Sequence, residues 1–359
     1  MKRSIVALLL AGLLVLALVG AAAAADKPIV IRLGHGSEGE MRMPGAGRTA
    51  GVLAFANYVE AATNGGITFE IHPNYSLGGV RAMIEQCQTG VIQMVGTYTS
   101  IMVPFAPEVA VTQIPYLFKD NRVAWKVMAG PVGKELTELF LKNTGLRVLI
   151  WPEGSGYRNL YTKDKLVKSV ADLKGMKVRV PENPGLLAMF RAYGARTVTV
   201  NWKELYTALQ TGMAQACETE LYSMYSVKLY EVCKNITMTR HSYNLHPLMI
   251  NEKFFRSLSP EYQKIILRGA DICREVMNSY SYATEIAVVE ALKKQGCKFY
   301  YPTDAQLEEF KKLGQKPYID FTVRKIGENG QKWVDKIFAA SKKAEEELAQ
   351  EIQTQLNIK

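Results

Sequence analysis

The chain has 359 residues, of which 48% are hydrophobic and 22% charged, and it carries a formal net charge of +10. A hydrophobic share of this size is typical of a packed globular protein and excludes a wholly disordered chain. The length predicts about two domains, and the five cysteines are too sparse for a small disulfide-stapled scaffold. The positive charge raises the question of a nucleic-acid partner, so the positions of the basic residues matter.

The first 25 residues have the pattern of a secretory signal peptide. Lys2 and Arg3 form a basic start, an apolar run extends from Ile5 to Val19, and an alanine-rich exit ends at Ala25. An uncleaved membrane anchor is the alternative, but the apolar run is shorter than the roughly 20 residues that a spanning helix needs. We expect cleavage near Ala25, which would leave an exported, soluble chain of 334 residues with a net charge of +8.

The first half of the chain has the pattern of a βαβ unit, and the second half also alternates predicted strands with predicted helices. Predicted strands are Ile29–Leu33, Ile67–Ile71, a short run at 92–95, Arg147–Trp151, Lys177–Val180 and Thr197–Val200. Helical spacing of apolar residues predicts helices at Gly51–Thr63, Arg81–Thr89, Pro184–Tyr193 and Trp202–Thr211. Strands that alternate with helices indicate a parallel sheet, so we expect two α/β lobes with a ligand cleft between them.

One predicted helix is much longer than the others. Ser259, Pro260 and Glu261 form a helix start, apolar residues recur at helical spacing as far as Leu292, and Gly296 ends the segment. About 35 residues give a helix of roughly 50 Å, which predicts an element that touches both lobes. A coiled coil is the alternative, although the sequence lacks a strict heptad. The polar tail at 341–359 is expected to be helical and loosely packed.

The cysteines are Cys87, Cys217, Cys233, Cys273 and Cys297. Their odd number means that at least one is free or pairs with another chain. We interpret them as buried small hydrophobic residues. A bridge between Cys217 and Cys233 is possible, but the sequence does not decide it.

Several familiar chemical motifs are missing from the sequence. Gly45–Gly51 superficially resembles a dinucleotide fingerprint, but it lies eleven residues from the preceding strand, so we interpret it as a loop. His241 and His246 are interpreted as structural, and no metal site or cofactor is predicted. The densest basic group, Lys163–Lys177, is interrupted by acidic residues, so we predict no nucleic-acid binding.

Four segments of the chain form a recognisable set. They are Leu173-Lys-Gly-Met-Lys-Val-Arg-Val-Pro181, Gly65–Asn74 with Leu77 and Gly78, Gln113–Phe118, and Glu204–Gly212. In their order along the chain, they resemble the motifs of solute-binding proteins of tripartite ATP-independent periplasmic (TRAP) transporters, and the segment from Leu173 resembles the family signature. The resemblance spans residues 29 to about 260, which is most of the chain that follows the leader.

The resemblance implies a two-lobed α/β periplasmic binding protein of the type II-like class. The expected division is a signal peptide at 1–25, lobe I at 26–154 and 245–284, lobe II at 155–244 and 285–340, and a C-terminal helical tail at 341–359. The implied function is capture of a small organic acid in the periplasm and delivery to a membrane permease, by a monomer that is not an enzyme. An exported enzyme that acts on a small acid and a ligand-binding partner of a membrane sensor are the alternatives.

The resemblance also implies site residues. Arg179, in the signature, corresponds to the family arginine that holds the ligand carboxylate, since a planar guanidinium presents two parallel donors to a carboxylate. A second arginine, Arg158, is expected beside the same carboxylate. The remaining candidates are Trp202 as a stacking ring, Thr219 as a hydrogen-bonding residue, Tyr98 from the first lobe, and Glu218 as a brace for the signature arginine or its neighbours.

The segment after Leu77 and Gly78 departs from the sugar-acid members of the family. Those members place acidic residues there to hold hydroxyl groups, whereas this chain has Gly79 and Val80. With Trp202 and several tyrosines nearby, this departure favours a carboxylate with an apolar or aromatic body over a sugar acid.

Overall fold

The computed structural model describes residues 27–37 and 46–356. The predicted signal peptide therefore lies outside the described residues. Two separate mixed sheets organise the chain, one of five strands and one of six. In chain order the strands are β1 Ile29–His35, β2 Ile67–His72, β3 Met94–Gly96, β4 Leu146–Ile150, β5 Glu153–Thr162, β6 Lys177–Val180, β7 Arg196–Thr199, β8 Ala216–Glu220, β9 Asn235–Leu245, β10 Leu248–Asn251 and β11 Lys298–Tyr300.

The first sheet has the strand order β2-β1-β3-β10-β4. Strand β1 pairs in parallel with both β2 and β3, as the predicted βαβ unit requires. Strand β10 is antiparallel to its neighbours β3 and β4. It comes from a much later part of the chain than either of them.

The second sheet has the order β11-β9-β5-β8-β6-β7. Strand β5 pairs antiparallel with both β8 and β9, whereas β6 pairs in parallel with β7 and β8. The chain passes from the first sheet to the second between β4 and β5, and returns between β9 and β10. These two short crossings place the sheets in two lobes, which confirms the predicted two-lobed α/β fold.

The helices cover both sheets. In chain order they are α1 Gly47–Ala62, α2 Val80–Thr89, α3 Thr99–Met102, α4 Asn121–Ala129, α5 Pro131–Thr144, α6 Pro184–Ala192, α7 Leu205–Gln210, α8 Leu221–Ser226, α9 Glu252–Ser257, α10 Pro260–Lys294, α11 Asp304–Ile326 and α12 Gly330–Gln355. Short 3₁₀ helices occupy Pro107–Gln113, Val170–Leu173, Trp202–Glu204 and Leu229–Glu231. Within the described ranges, no helix combines the length and apolar character that crossing a membrane demands.

Helix α10 is the predicted long helix, and it contacts both lobes. The Ser259 side chain caps its start by accepting from the Tyr262 N–H. Its first half packs on α1, where Gly51 and Gly269 allow close approach, since a Cβ on Gly51 would lie 2.3 Å from Met277 Cγ. Its second half packs on α8 and contributes Val288 and Leu292 to the core of the second lobe.

Two expectations are wrong. Gly47–Gly51 is not a loop, since it forms the first turns of α1 with Gly47 and Gly51 buried against α10. The segment from Ser341 does not pack loosely, because it continues α12, which packs on α4 and α5. Ser341 is buried and its hydroxyl donates to the Leu117 carbonyl at 3.0 Å.

Candidate ligand cleft

A cavity of about 220 Å³ lies where the two sheets face each other. Its first-lobe wall is built from the residues after β2 and β3, and its second-lobe wall from β5, β6, β8 and the segment after β7. The lining residues are Tyr75, Gly79, Val80, Arg81, Tyr98, Ser100, Ile101, Arg158, Arg179, Pro181, Glu182, Thr199, Val200, Asn201, Trp202, Thr219, Glu220 and Ser223. Five of the six residues predicted from the sequence are therefore brought together around one cavity, and Glu218 lies behind its wall.

Arg179 sits in β6 and is only 3% exposed. Its Nε and Nη2 donate to the Val200 carbonyl oxygen at 3.0 and 2.8 Å. No carboxylate of the described residues lies within ion-pair distance of this guanidinium. Burial consequently lowers the pKa of Arg179 to about 10, so the side chain is still a cation at neutral pH.

Arg158 sits in β5, opposite Glu220 of β8 in the antiparallel register. Its Nε and Nη2 donate to the two carboxylate oxygens of Glu218 at 2.5 and 2.8 Å, and Nη1 donates to Glu220 Oε1 at 2.8 Å. Burial alone would lower the pKa of Arg158, but the Glu218 and Glu220 carboxylates raise it above its ordinary value. The charge of Arg158 is thus already matched within the protein.

Glu218 is completely buried and does not line the cavity. Besides Arg158, it contacts His241 Nε2 at 3.2 Å. Burial would raise the pKa of this carboxyl group, but the Arg158 charge outweighs it and the pKa is lowered. Glu218 therefore braces Arg158 and not the signature residue Arg179.

Trp202 and Thr219 lie on the second-lobe side of the cavity. The half-buried Trp202 ring has its centroid 5.8 Å from the Arg179 guanidinium carbon. The Thr219 hydroxyl donates to Glu220 Oε2 at 2.9 Å. Because that proton is used, Thr219 offers a ligand an acceptor and no donor.

Tyr98 reaches the cavity from the first lobe, and it reveals a residue that the sequence analysis missed. The Tyr98 hydroxyl accepts hydrogen bonds from Arg48 Nη1 and, at 3.3 Å, from the Tyr75 hydroxyl. Arg48 is buried between the Tyr98 and Tyr222 rings, with its guanidinium carbon 5.1 and 5.2 Å from their centroids. Tyr98 lines the cavity, and because its oxygen accepts from two groups, neither of these contacts uses its own hydroxyl proton.

The buried charges around the cavity leave one positive charge unmatched. Arg48, Arg158 and Arg179 supply three cations, whereas Glu218 and Glu220 supply two carboxylates. Burial would raise the pKa of Glu220, but Arg158 and Arg48 lower it to about 2, so it is ionised. An excess of one positive charge in a buried cleft favours a monoanionic ligand.

The mouth of the cavity is crossed by two contacts between the lobes. Lys203 Nζ, after β7, donates to the Tyr75 carbonyl at 3.2 Å. Arg81 of α2 lies 3.8 Å from Glu182, and both side chains are more than half exposed. The lobes are therefore in contact over the cavity.

The described residues contain no group of three or more histidine, cysteine, aspartate or glutamate side chains arranged to hold a metal ion. Burial, followed by the Arg48 charge, lowers the pKa of His35 to about 4 and that of His246 well below its ordinary value. Both imidazoles are neutral, so neither adds to the positive charge of the cleft at neutral pH.

Comparison with known proteins identifies the family. The sequence model of the DctP family, described as bacterial extracellular solute-binding protein, family 7, matches residues 44–325 of this chain. The 2,3-diketo-L-gulonate-binding periplasmic protein YiaO of Escherichia coli (strain K12) is 29% identical over 242 residues, which are 67% of this chain and 73% of that protein.

Solved structures agree with this assignment. A TRAP periplasmic solute-binding protein from Desulfovibrio salexigens with bound orotic acid is 26% identical, with a TM-score of 0.82 over 88% of this chain and 99% of that one. The sugar-acid-binding protein DctPAm from Advenella mimigardefordensis in complex with galactonate is also 26% identical, with a TM-score of 0.82 over 89% of this chain and 99% of that one. The chain therefore belongs to family 7 of the bacterial extracellular solute-binding proteins, the DctP family of TRAP transporter solute-binding proteins.

Proposed function

We propose that this protein captures a small organic acid in the cleft between its lobes and delivers it to a TRAP-type membrane permease. The family and its structural neighbours are solute-binding proteins and not enzymes. The family assignment supports a periplasmic location, and the predicted leader at 1–25 would supply the export signal. The ligand would enter the open cleft, and the lobes would close over it by bending at the two crossings and along α10.

The observation that carries the proposal is the state of Arg179. An arginine has five N–H groups, and in Arg179 two of them are used by the Val200 carbonyl. The remaining three lie on Nη1 and Nη2, which form an edge suited to the two oxygens of a carboxylate. A buried cation with no acidic partner among the described residues is stabilised when a ligand supplies that carboxylate.

Arg158 has a different part in this proposal. Its hydrogen bonds to Glu218, including one from Nη2 to the Glu218 carbonyl at 2.9 Å, and to Glu220 use four of its five N–H groups. It can give a ligand at most one hydrogen bond, so we assign the two-pronged contact to Arg179. Arg158 then supports the wall that carries Thr219 and Glu220.

The ligands of similar proteins support an organic acid. The names of the three proteins compared above record 2,3-diketo-L-gulonate, orotic acid and galactonate, each of which is a carboxylic acid. In this chain the cavity wall includes Val80, Ile101 and Trp202. The family resemblance implies that Gly79 stands where sugar-acid members carry acidic residues. We therefore favour a monocarboxylate with an apolar or aromatic body.

The proposal is tested by identifying what the purified protein carries and prefers. Mass spectrometry of small molecules released on denaturation should find an organic acid. A thermal-shift series should then show stabilisation by aromatic or aliphatic monocarboxylates. Stabilisation by polyhydroxylated sugar acids alone would contradict the apolar assignment, and turnover of a bound acid would favour an exported enzyme.

A ligand-binding partner of a membrane sensor would share the same cleft chemistry. Permease subunits that co-purify with the protein, and uptake of the acid that depends on it, would support delivery to a permease. Ligand binding without any effect on uptake would favour the sensor.

A further inference from the structure

Arg48 lies between the two lobes, but it does not line the ligand cleft. It belongs to α1, which connects β1 and β2 of the first sheet, and it is only 2% exposed. Its guanidinium carbon lies 5.1 Å from the centroid of the Tyr98 ring, in the first lobe, and 5.2 Å from the centroid of the Tyr222 ring, in the second. Both distances are within the roughly 6 Å at which an aromatic face attracts a cation. One buried cation is therefore shared by a ring from each lobe.

The first-lobe side of this contact is held in place by several neighbours. Arg48 Nη1 donates to the Tyr98 hydroxyl, and the Tyr98 ring packs edge-on against His246 with the ring centroids 4.9 Å apart. Gly47, the residue before Arg48, packs so closely on α10 that a Cβ there would lie 2.7 Å from Ser281 Oγ. Arg48 and Tyr98 therefore keep their places relative to the first sheet.

The second-lobe side of the contact is the Tyr222 ring. Tyr222 is the second residue of α8, and its neighbours Leu221 and Met224 belong to the core of the second lobe. Within the described ranges Arg48 forms no ion pair, and its buried Nε has no hydrogen-bond acceptor. The attraction between the guanidinium and this ring is therefore what joins Arg48 directly to the second lobe.

We propose that Arg48 is a positioning residue that holds the two lobes together beside the ligand cleft. The proposal rests on the proposed function, because it concerns the closed cleft in which an acid would be held. A guanidinium is planar and stacks on aromatic faces, so it can serve Tyr98 and Tyr222 at the same time. When the lobes separate, Tyr222 moves away while Tyr98 remains, and the second contact is lost. The contact thus favours the closed form over the open form.

The positive charge of Arg48 and its contact with Tyr222 can be separated by substitution. Arg48→Lys keeps the charge, but an ammonium is a compact group that does not present a planar face to two rings. Tyr222→Leu removes the ring from the other side, whereas Tyr222→Phe keeps an aromatic face for the cation. A role of Arg48 in lobe closure predicts the same defect in Arg48→Lys and Tyr222→Leu, and none in Tyr222→Phe.

The test measures closure without a ligand. Arg81 and Glu182 lie 3.8 Å apart across the mouth of the cavity, and both side chains are more than half exposed. Arg81→Cys combined with Glu182→Cys therefore places one accessible thiol on each lobe, while the five native cysteines are free and buried. A short bis-maleimide bridges these two thiols when the lobes are closed. Mass spectrometry then gives the fraction of chains bridged by one reagent molecule instead of carrying two.

The substitutions at Arg48 and Tyr222 are introduced into this double-cysteine chain. We expect Arg48→Lys and Tyr222→Leu each to lower the bridged fraction about two- to tenfold, since a buried cation–π contact shifts the ratio of closed to open molecules by roughly that factor or more. Tyr222→Phe should bridge like the starting chain. The double variant Arg48→Lys/Tyr222→Leu should bridge no less than either single variant, because both remove one contact.

Thermal melting of each variant separates a structural role from a positioning role. A lower melting temperature with an unchanged bridged fraction would mark Arg48 as merely structural and overturn the proposal, as would losses that add in the double variant. A starting chain that is never bridged would overturn it as well, because Arg48 would then not hold the lobes in contact. The two variants remove the contact from opposite sides, so if one fails to fold the other decides. No acid is needed, so this outcome is separate from failure of the proposed function, which the search for a released acid tests.

Discussion

The two arginines that line the cavity differ in how many of their N–H groups are already used. Arg158 donates to two glutamates, and Arg179 donates to one carbonyl oxygen. An arginine that is already paired with glutamates of the protein stabilises the cavity wall. An arginine without an acidic partner among the described residues can bind the carboxylate of a ligand. The same residue type therefore has two roles, set by what lies opposite each guanidinium in the sheet.

If Glu218 holds Arg158, removing its carboxylate should destabilise the fold. Glu218→Ala leaves the buried Arg158 guanidinium and His241 without this partner, and we expect the free energy of unfolding to fall by about 3–5 kcal/mol. Glu182→Ala is the control, because its contact with Arg81 is exposed and such pairs contribute up to about 1 kcal/mol. Denaturant unfolding measures both, and equal losses in the two variants would count against the bracing role.

Tyr98 should contribute a hydrogen bond to the ligand, since its oxygen accepts from Arg48 and Tyr75 and its proton remains. Tyr98→Phe removes that donor, so we expect affinity for the acid that most stabilises the protein to fall roughly 2–10-fold. The control is Tyr282→Phe, because Tyr282 is 63% exposed on α10. Calorimetric titration that finds Tyr98→Phe as tight as the control would contradict this assignment.

At the scale of elements, strand β5 begins at the crossing between the lobes with a buried acid. Glu153 Oε2 accepts hydrogen bonds from Asn121 Nδ2, Trp125 Nε1 and the Tyr243 hydroxyl at 2.9, 3.2 and 3.0 Å. Asn278 Oδ1 of α10 accepts from the Glu153 main-chain N–H at 2.7 Å. Burial outweighs these donors and raises the pKa of Glu153 to about 7. The carboxyl group of Glu153 thus joins β5 to α4 and β9, and its main-chain N–H joins β5 to α10.

This carboxyl group should make stability depend on pH. Its pKa is higher in the folded state than in the unfolded chain, so its contribution is fully present below the ordinary glutamate pKa and is lost as pH rises through about 7. Denaturant unfolding at pH 5 and at pH 8 compares the free energies of unfolding of Glu153→Gln and the wild type. Because only the wild type loses stability as this carboxyl group ionises, the difference should shift in favour of Glu153→Gln by up to about 3 kcal/mol from pH 5 to pH 8. The exposed Glu138→Gln should show no such change, and a pH-independent difference for Glu153→Gln would contradict the prediction.

At the scale of the whole molecule, periodicity and resemblance predicted different parts of the structure. The apolar spacing predicted β1, β2, β6, α1 and the long helix α10 within a few residues of their observed ends. The resemblance predicted which side chains would share one cavity. The spacing of apolar residues was sufficient to predict a helix or strand whose own residues determine its secondary structure.

What the sequence did not reveal depends on contacts between distant segments. Arg48 lies beside Tyr98 and Tyr222, which are far away along the chain, and its glycine-rich surroundings suggested a loop. The segment 341–359 was predicted to pack loosely because it is polar, and its small residues Ser341 and Ala344 give little apolar signal. Both are nevertheless buried, because small residues let α12 pack closely.

The central claim concerns Arg179 and is tested most directly by calorimetric titration of the best-stabilising acid into Arg179→Ala. Arg196→Ala, an exposed neighbour on β7, is the matched control. Two charge-assisted hydrogen bonds are lost in Arg179→Ala, so we predict affinity at least about 100-fold weaker, with the control unchanged. Wild-type affinity in a folded Arg179→Ala protein would contradict the account.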